Sequence, residues 1–190
     1  MNKEIEIKLE IPNTDIGLVL EKMEQKFGLV AETPFLQTTY QFFTNDFSTQ
    51  KVFPRIRNEV DGRTTLTLKV KKEESQNYFK RLEYESGIGD PDAIIGMMEH
   101  LGFPYKVIWQ KKRTLFKSRC VDGDDVPIPV FSLDETPIGF FLEIEGTESE
   151  IENAIKTLNL ASYRRIPKSY LALWEEYKKE KGIDRVDMVF

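Results

Sequence analysis

Apolar and polar residues alternate without a break through MNKEIEIKLEI, the first stretch of the chain. Ile5, Ile7, Leu9 and Ile11 fall on one side and Glu4, Glu6, Lys8 and Glu10 on the other. A period of two is that of a β-strand with one buried face. The period then changes. NTDIGLVLEKMEQKFG opens with the cap candidates Asn13, Thr14 and Asp15, carries Ile16, Val19, Leu20, Met23 and Phe27 along one side, and stops at Gly28. These are the marks of an amphipathic helix. Strand spacing returns in FLQTTYQFFT, KVFPRIRNEV, TTLTLKVKK and YFKRLEYES, with the Asp-Gly pair of VDGR as a hairpin turn. DPDAIIGMMEHLGF predicts a second helix, with Asp90 or Asp92 near its cap, Pro91 early and Gly102 beyond its last turn. YKVIWQKKRTLFKSRCV, VPIPVFSLD and GFFLEIEG read as strands, the last two around a turn at Pro137 and Gly139. TESEIENAIKTLNL and PKSYLALWEEYKKEKG predict two closing helices, and IDRVDMVF carries no pattern that assigns it.

About eight strands, joined mostly by short turns and flanked by helices, predict an α+β domain on an antiparallel sheet. The parity of the charges carries the prediction further. Arg55 and Arg57 share one strand face, as do Thr65, Thr67, Lys69 and Lys71, then Arg81, Glu83 and Glu85, then Lys111 and Arg113, then Glu143 and Glu145. If the helices cover the apolar faces, the charged faces turn toward one another. The expected fold is therefore a closed antiparallel eight-stranded β-barrel with flanking helices, spanning residues 1–178 as one domain, with 179–190 as a C-terminal tail. A charged interior is costly to desolvate unless opposite charges, metals or a charged ligand sit within it.

Composition narrows the function. At 190 residues, 40% hydrophobic and 31% charged, the chain can bury one substantial core. A net charge of -5 argues against a nucleic-acid polymer as partner. Cys120 is the single cysteine, which excludes an internal disulfide framework. No apolar signal segment opens the chain and no long apolar run follows, so no membrane association and a cytoplasmic location are expected. The lone histidine, His100, belongs to a helix end, which leaves chemistry to carboxylates, amines or metal.

The presumed interior is a mixture. Lys8, Arg55, Arg57, Lys69, Arg81, Lys111 and Arg113 offer cations, while Glu4, Glu6, Glu83, Glu85, Asp134, Glu143 and Glu145 offer oxygen ligands. Crowded carboxylates repel and raise one another's pKa unless a hard divalent cation such as Mg²⁺ or Mn²⁺ lies among them. Crowded arginines and lysines call for a polyanion. A chain of phosphates bridged by metal ions meets both demands, as in phosphoryl transfer.

EIEIK at Glu4, Glu6 and Lys8 resembles the ExExK signature of the CYTH family, the triphosphate tunnel metalloenzymes, which includes class IV adenylyl cyclases, thiamine triphosphatases and inorganic triphosphatases. RIR at Arg55 to Arg57, LTLK ending at Lys69, RLEYE, KKR, SLDE, GFFLEIE and KSY at Lys168 follow in the family's order, so the resemblance spans residues 1–175. It implies a barrel open as a tunnel. It further implies that Glu4, Glu6, Glu83, Glu85, Asp134, Glu143 and Glu145 hold one or two Mg²⁺ or Mn²⁺ ions. Lys8, Arg55, Arg57, Lys69, Arg81, Lys111 and Arg113 would grip the triphosphate, with Lys168 reaching in from the last helix, and Lys8, Arg57 and Glu145 would act at the chemistry. Lys71, Lys112 and Lys117 have no counterpart and read as surface charge; Trp109 and Trp174 read as core.

Two departures matter. QTTYQFFTND places Gln37, Thr38, Thr39 and Phe43 where many members carry an Asp or Asn before an aromatic-Asp stretch, which counts against a ligand contact from that strand. Met1, Asn2 and Lys3 stand where class IV cyclases resemble one another in a His-Phe pair, which counts against cyclisation. The favoured reading is a hydrolase of inorganic tripolyphosphate, or of a small organic triphosphate such as thiamine triphosphate, in which a metal-activated water displaces orthophosphate. The runner-up is cyclisation of ATP to cyclic AMP and pyrophosphate. A binding protein without turnover would dispense with several of the acidic positions, and the family's members often pair as homodimers.

Overall fold

The structure is a computed structural model describing residues 2–46, 51–59, 61–74, 79–118 and 128–190; the side chains of 2–4, 71–74 and 79–81 are not described. Its elements run β1 (Asn2–Ile11), α1 (Ile16–Phe27), β2 (Leu29–Ala31), β3 (Phe35–Phe43), β4 (Val52–Asn58), β5 (Thr64–Glu74), β6 (Phe79–Ile88), α2 (Pro91–His100), β7 (Tyr105–Ser118), β8 (Val130–Thr136), β9 (Gly139–Glu145), α3 (Glu148–Thr157) and α4 (Tyr170–Lys181). The predicted α+β class holds, built on one large antiparallel sheet with four helices. Among the described residues there are nine strands rather than eight, because the three residues of β2 pair with the end of β7 beyond β3. Pairing runs β7-β3-β4-β5-β6-β1-β9-β8, and β8 pairs with β7 again. Lys112 of β7 faces Leu36 of β3 across one edge and Glu135 of β8 across the other, so the order of pairing returns to its start.

The apolar side of the opening alternation does what the pattern predicts. Ile7, Leu9 and Ile11 of β1 pack with Leu142 and Ile144 of β9 beneath Val19 and Met23 of α1 and Ile151, Ala154 and Ile155 of α3, all almost wholly buried. Each such side chain contributes about 1.5–3 kcal/mol relative to exposure, so the face is fixed and its polar complement must point the other way. Met98 of α2 closes a smaller cluster with Phe42 and Ile56, on the outer face of β3 and β4. Local signals set the helix ends. Thr147 and Glu150 make a reciprocal capping box for α3, Asp90 caps α2, and Ser169 accepts from the Ala172 amide to start α4. The Asn13–Asp15 segment forms a 3-10 turn with no side-chain cap, unlike the cap predicted there.

α4 packs differently from the other helices. Its Tyr170, Leu173 and Trp174 cluster with Trp109 and Phe141, which lie two residues from Lys111 and Glu143 and therefore on the same strand faces as those charges. The polar lining gives way at that point to an apolar one covered by α4. The C-terminal segment, which the sequence left unassigned, fits alongside: the Met188 amide donates to Ile108 at 3.0 Å and the Gln110 amide to Met188 at 2.8 Å, adding a parallel bridge to β7. Trp174 donates its indole N–H to the Val186 carbonyl at 2.9 Å. Among the described residues no helix is long and apolar enough to cross a membrane.

Candidate functional site

Charged residues on the inner strand faces meet in two webs. In the first, Lys8, only 2% exposed, donates to Glu6 at 3.2 Å and pairs with Glu143 at 3.1 Å. Glu143 also receives Arg113 and lies 3.9 Å from Lys111. Asp134 is fully buried and accepts four hydrogen bonds: two from the Arg113 fork at 2.8 and 2.7 Å, one from Lys111 at 2.8 Å and one from the Tyr170 hydroxyl at 2.8 Å. The Lys8 and Lys111 ammonium groups also lie 4.9 and 5.3 Å from the centre of the Tyr170 ring, within cation–π range.

Burial acts on every group of this web, and the neighbouring charges decide the outcome. For Lys8 burial opposes the charge, but Glu143 and Glu6 outweigh it and the pKa is raised. For Lys111 burial and the adjacent Arg113 guanidinium prevail over Asp134 and Glu143, and the pKa falls to about 8. Burial would raise the two carboxyls, yet Arg113 and Lys111 hold Asp134 below its ordinary value, and Lys111, Lys8 and Arg113 hold Glu143 well below. Burial and the Asp134 carboxylate push the Tyr170 phenol well above its ordinary range, so it stays a donor.

The second web lies on β4, β5 and β6. Arg55 is 3.9 Å from Glu83, which also pairs with Lys69. Arg57 contacts Glu59 at 2.8 Å through Nε and Glu85 at 3.5 Å through Nη2. Thr65 donates to Glu59 at 3.1 Å, Thr67 to Glu85 at 3.0 Å, and the Gln37 amide to Glu59 at 3.3 Å. β3 links the two webs: Gln37 is the cross-strand partner of Lys111, and Thr39 that of Arg57.

The structure brings together Glu6, Lys8, Arg55, Arg57, Lys69, Glu83, Glu85, Lys111, Arg113, Asp134 and Glu143. Glu145 is exposed at the end of β9, opposite Glu6 in register. Glu4 and Arg81 are cross-strand partners, and their side chains lie outside the described residues, as does that of Lys71; Cys120 falls outside them altogether. Two expectations are corrected. Lys168 does not reach in: it precedes the Ser169 cap, is half-exposed and pairs with Glu176 at 2.5 Å, while Tyr170, the first residue of α4, supplies the inward contact. Nor do the described interior carboxylates face one another as a repelling cluster. Lys8 is the cross-strand partner of Glu143, Lys69 of Glu83 and Arg113 of Asp134, so each meets a cation. Glu59, Gln37 and Tyr170 are participants the charge pattern did not select. Lys112 and Lys117 sit outside, paired with Glu135 and Glu32, and Trp109 and Trp174 are buried.

Among the described residues no three carboxylate, histidine or cysteine side chains gather closely enough to cage a metal ion. Pairs are present: Glu6 opposite Glu145, and Glu83 with Glu85 on one face of β6. One or two carboxylates, with the remaining ligands left to phosphate oxygens and water, are what Mg²⁺ accepts, so the residues fit an ion that arrives with a phosphate ligand.

A family model described as the CYTH domain matches residues 2–170. No curated protein matches the chain. Among solved structures, a conserved hypothetical protein from Pyrococcus furiosus is 23% identical with a TM-score of 0.70, covering 90% of this chain and 99% of that one. A Hippeastrum protein, described as a candidate adenylyl cyclase that reveals a dominant triphosphatase activity, is 21% identical with a TM-score of 0.61, covering 92% and 96%. A candidate adenylate cyclase from Vibrio parahaemolyticus is 19% identical with a TM-score of 0.62, covering 90% and 97%. At these identities the likenesses establish the fold.

Proposed function

This chain belongs to the CYTH family, and from that membership we propose that it is a divalent-metal-dependent hydrolase of small triphosphates, releasing orthophosphate. The circuit of strand pairing is read as a closed eight-stranded barrel whose charged inner face forms the substrate tunnel. The single observation that carries the reading is the make-up of the inner face: six cations, Lys8, Arg55, Arg57, Lys69, Lys111 and Arg113, each paired with interior carboxylates. A stable core needs no such lining. A polyphosphate can exchange places with the carboxylates on the cations, and a divalent ion then takes up the freed carboxylate charge, so the filled interior stays close to neutral.

In this reading Arg55, Arg57, Arg113, Lys8, Lys69 and Lys111 hold the phosphate chain, the arginines by forked contacts and the lysines as point charges. Glu6, Glu83, Glu85, Glu143 and Glu145, with Glu4, would hold Mg²⁺ or Mn²⁺. The ion supplies neutralisation of phosphate charge and polarisation of phosphate oxygens. Asp134 and Tyr170 keep Lys111 and Arg113 in place. Water oxygen bonds to the terminal phosphorus, the bridging P–O bond breaks toward the diphosphate, and the water's proton leaves with the products. A free triphosphate, inorganic or bearing a small organic group, is the proposed partner. The test is a product assay on tripolyphosphate, thiamine triphosphate and ATP with Mg²⁺, Mn²⁺ or neither. Orthophosphate from tripolyphosphate with no cyclic AMP from ATP supports the reading; cyclic AMP and pyrophosphate from ATP would replace it with the cyclase.

A further inference from the structure

Two interior side-chain oxygens take no part in either web. Gln37 Oε1 and Thr39 Oγ1 belong to residues 1% and 0% exposed and have no hydrogen-bond partner among the described residues. A buried acceptor left without a donor costs free energy, so its persistence on an inner face marks a place where a ligand supplies the partner. The orientation of the Gln37 amide is fixed by chemistry. Its nitrogen lies 3.3 Å from Glu59 Oε2, and a carboxylate only accepts, so the NH₂ end must face Glu59 and the oxygen must face elsewhere.

An amide oxygen accepts and never donates. Ionised phosphate oxygens do the same, so Gln37 Oε1 cannot bond the phosphates themselves. Its partner must be a hydrogen-bond donor, and a water molecule bound beside the phosphate supplies one. Gln37 lies beside Lys111 across one strand boundary, and Thr39 lies beside Arg57 across the other, so a donor there sits next to a phosphate held by both cations. We propose that Gln37 is a positioning residue for the hydrolytic water: Oε1 accepts one of its O–H bonds and turns the oxygen lone pair toward the terminal phosphorus. The Thr39 hydroxyl completes the water's second bond. Gln37 neither takes nor gives a proton. The water oxygen bonds to phosphorus, the phosphoanhydride P–O bond breaks, and the proton leaves with orthophosphate. A glutamine oxygen serves the same end in some GTPases. The inference rests on the hydrolase reading, because cyclisation uses no water.

The experiment compares wild type with Gln37→Met and Gln37→Leu, which keep the bulk and remove the acceptor. Tripolyphosphate hydrolysis is followed at saturating Mg²⁺ or Mn²⁺, tripolyphosphate affinity by calorimetry and folding by melting temperature. A misplaced nucleophile lowers kcat by about a hundredfold, and KM and Kd should stay within about threefold of wild type. Unchanged kcat in either folded variant overturns the assignment. A raised KM or Kd with kcat intact overturns it as well, because Gln37 would then be a contact to bound substrate. A wild-type protein that releases no orthophosphate from any triphosphate fails at the earlier step, and the hydrolase reading falls with it.

Discussion

Replacing Asp134 by Asn removes one negative charge and almost no volume from the most enclosed point of the site. Asp134 has no exposed surface and accepts from Arg113 twice, from Lys111 and from Tyr170. In the variant Lys111 and Arg113 are left to share Glu143, and at least one donor now faces an amide N–H. Breaking a buried ion pair by removing one partner costs about 3–5 kcal/mol, and the amide's remaining acceptor oxygen places Asp134→Asn near the low end, at about 3 kcal/mol. For a chain of this length each kcal/mol moves the melting temperature by about 2–4 °C, so a fall of roughly 6–12 °C is expected. The assay is thermal unfolding in chelator. Tripolyphosphate should return part of the loss and raise the variant's melting temperature by more than it raises that of wild type, because the polyanion supplies the missing counter-charge. A melting temperature within about 2 °C of wild type, with an equal response to tripolyphosphate, would refute the claim that Asp134 sustains the buried cations.

Arg57→Ala should weaken tripolyphosphate binding by about 1.5–3 kcal/mol, the scale of a charged hydrogen bond, and unchanged KM and turnover would remove Arg57 from the site. In chelator, stability should fall with acid: Lys111, Lys8 and Arg113 overcome burial to hold Glu143 below its ordinary 4.5, and Arg113 and Lys111 do the same for Asp134 at 3.8. With depressed folded-state values, that stabilisation is complete above those figures and is lost as the pH drops below them, so a urea midpoint unchanged between about pH 6 and pH 3 would contradict the pairing. Glu145→Gln, at an exposed position, should leave stability within about 0.5 kcal/mol of wild type while lowering metal-dependent turnover; full turnover at limiting Mg²⁺ would take Glu145 out of the metal set.

Period-two parity told which side chains share a face, and the apolar half of β1, buried under α1 and α3, fixed which face turns inward. That is why Lys8, Arg57, Lys111 and Glu143 could be named from alternation. Parity does not supply register. Whether Lys69 lies beside Glu83 or beside another lysine depends on strand pairing, so mutual repulsion was expected where cross-strand complementarity is found. Glu59 follows the last residue of β4 but keeps the parity of Arg55 and Arg57, so the alternation in KVFPRIRNEV was the signal that could have found it. Tyr170 escaped for a different reason: on a helix its inward direction depends on where the Ser169 cap starts the first turn, and the family resemblance pointed to the neighbouring Lys168 instead. The C-terminal segment had no pattern to read because it docks through the backbone of Met188 rather than through a periodic face.

The most direct measurement is a crystal structure of the protein with tripolyphosphate and Mn²⁺, with anomalous scattering used to place the metal. The account predicts a phosphate chain on Lys8, Arg57, Lys111 and Arg113, and a manganese peak shared between its oxygens and the Glu6 or Glu83 carboxylates. A phosphate chain bound to outer surface lysines, with the interior ion pairs intact and no manganese among them, would contradict it.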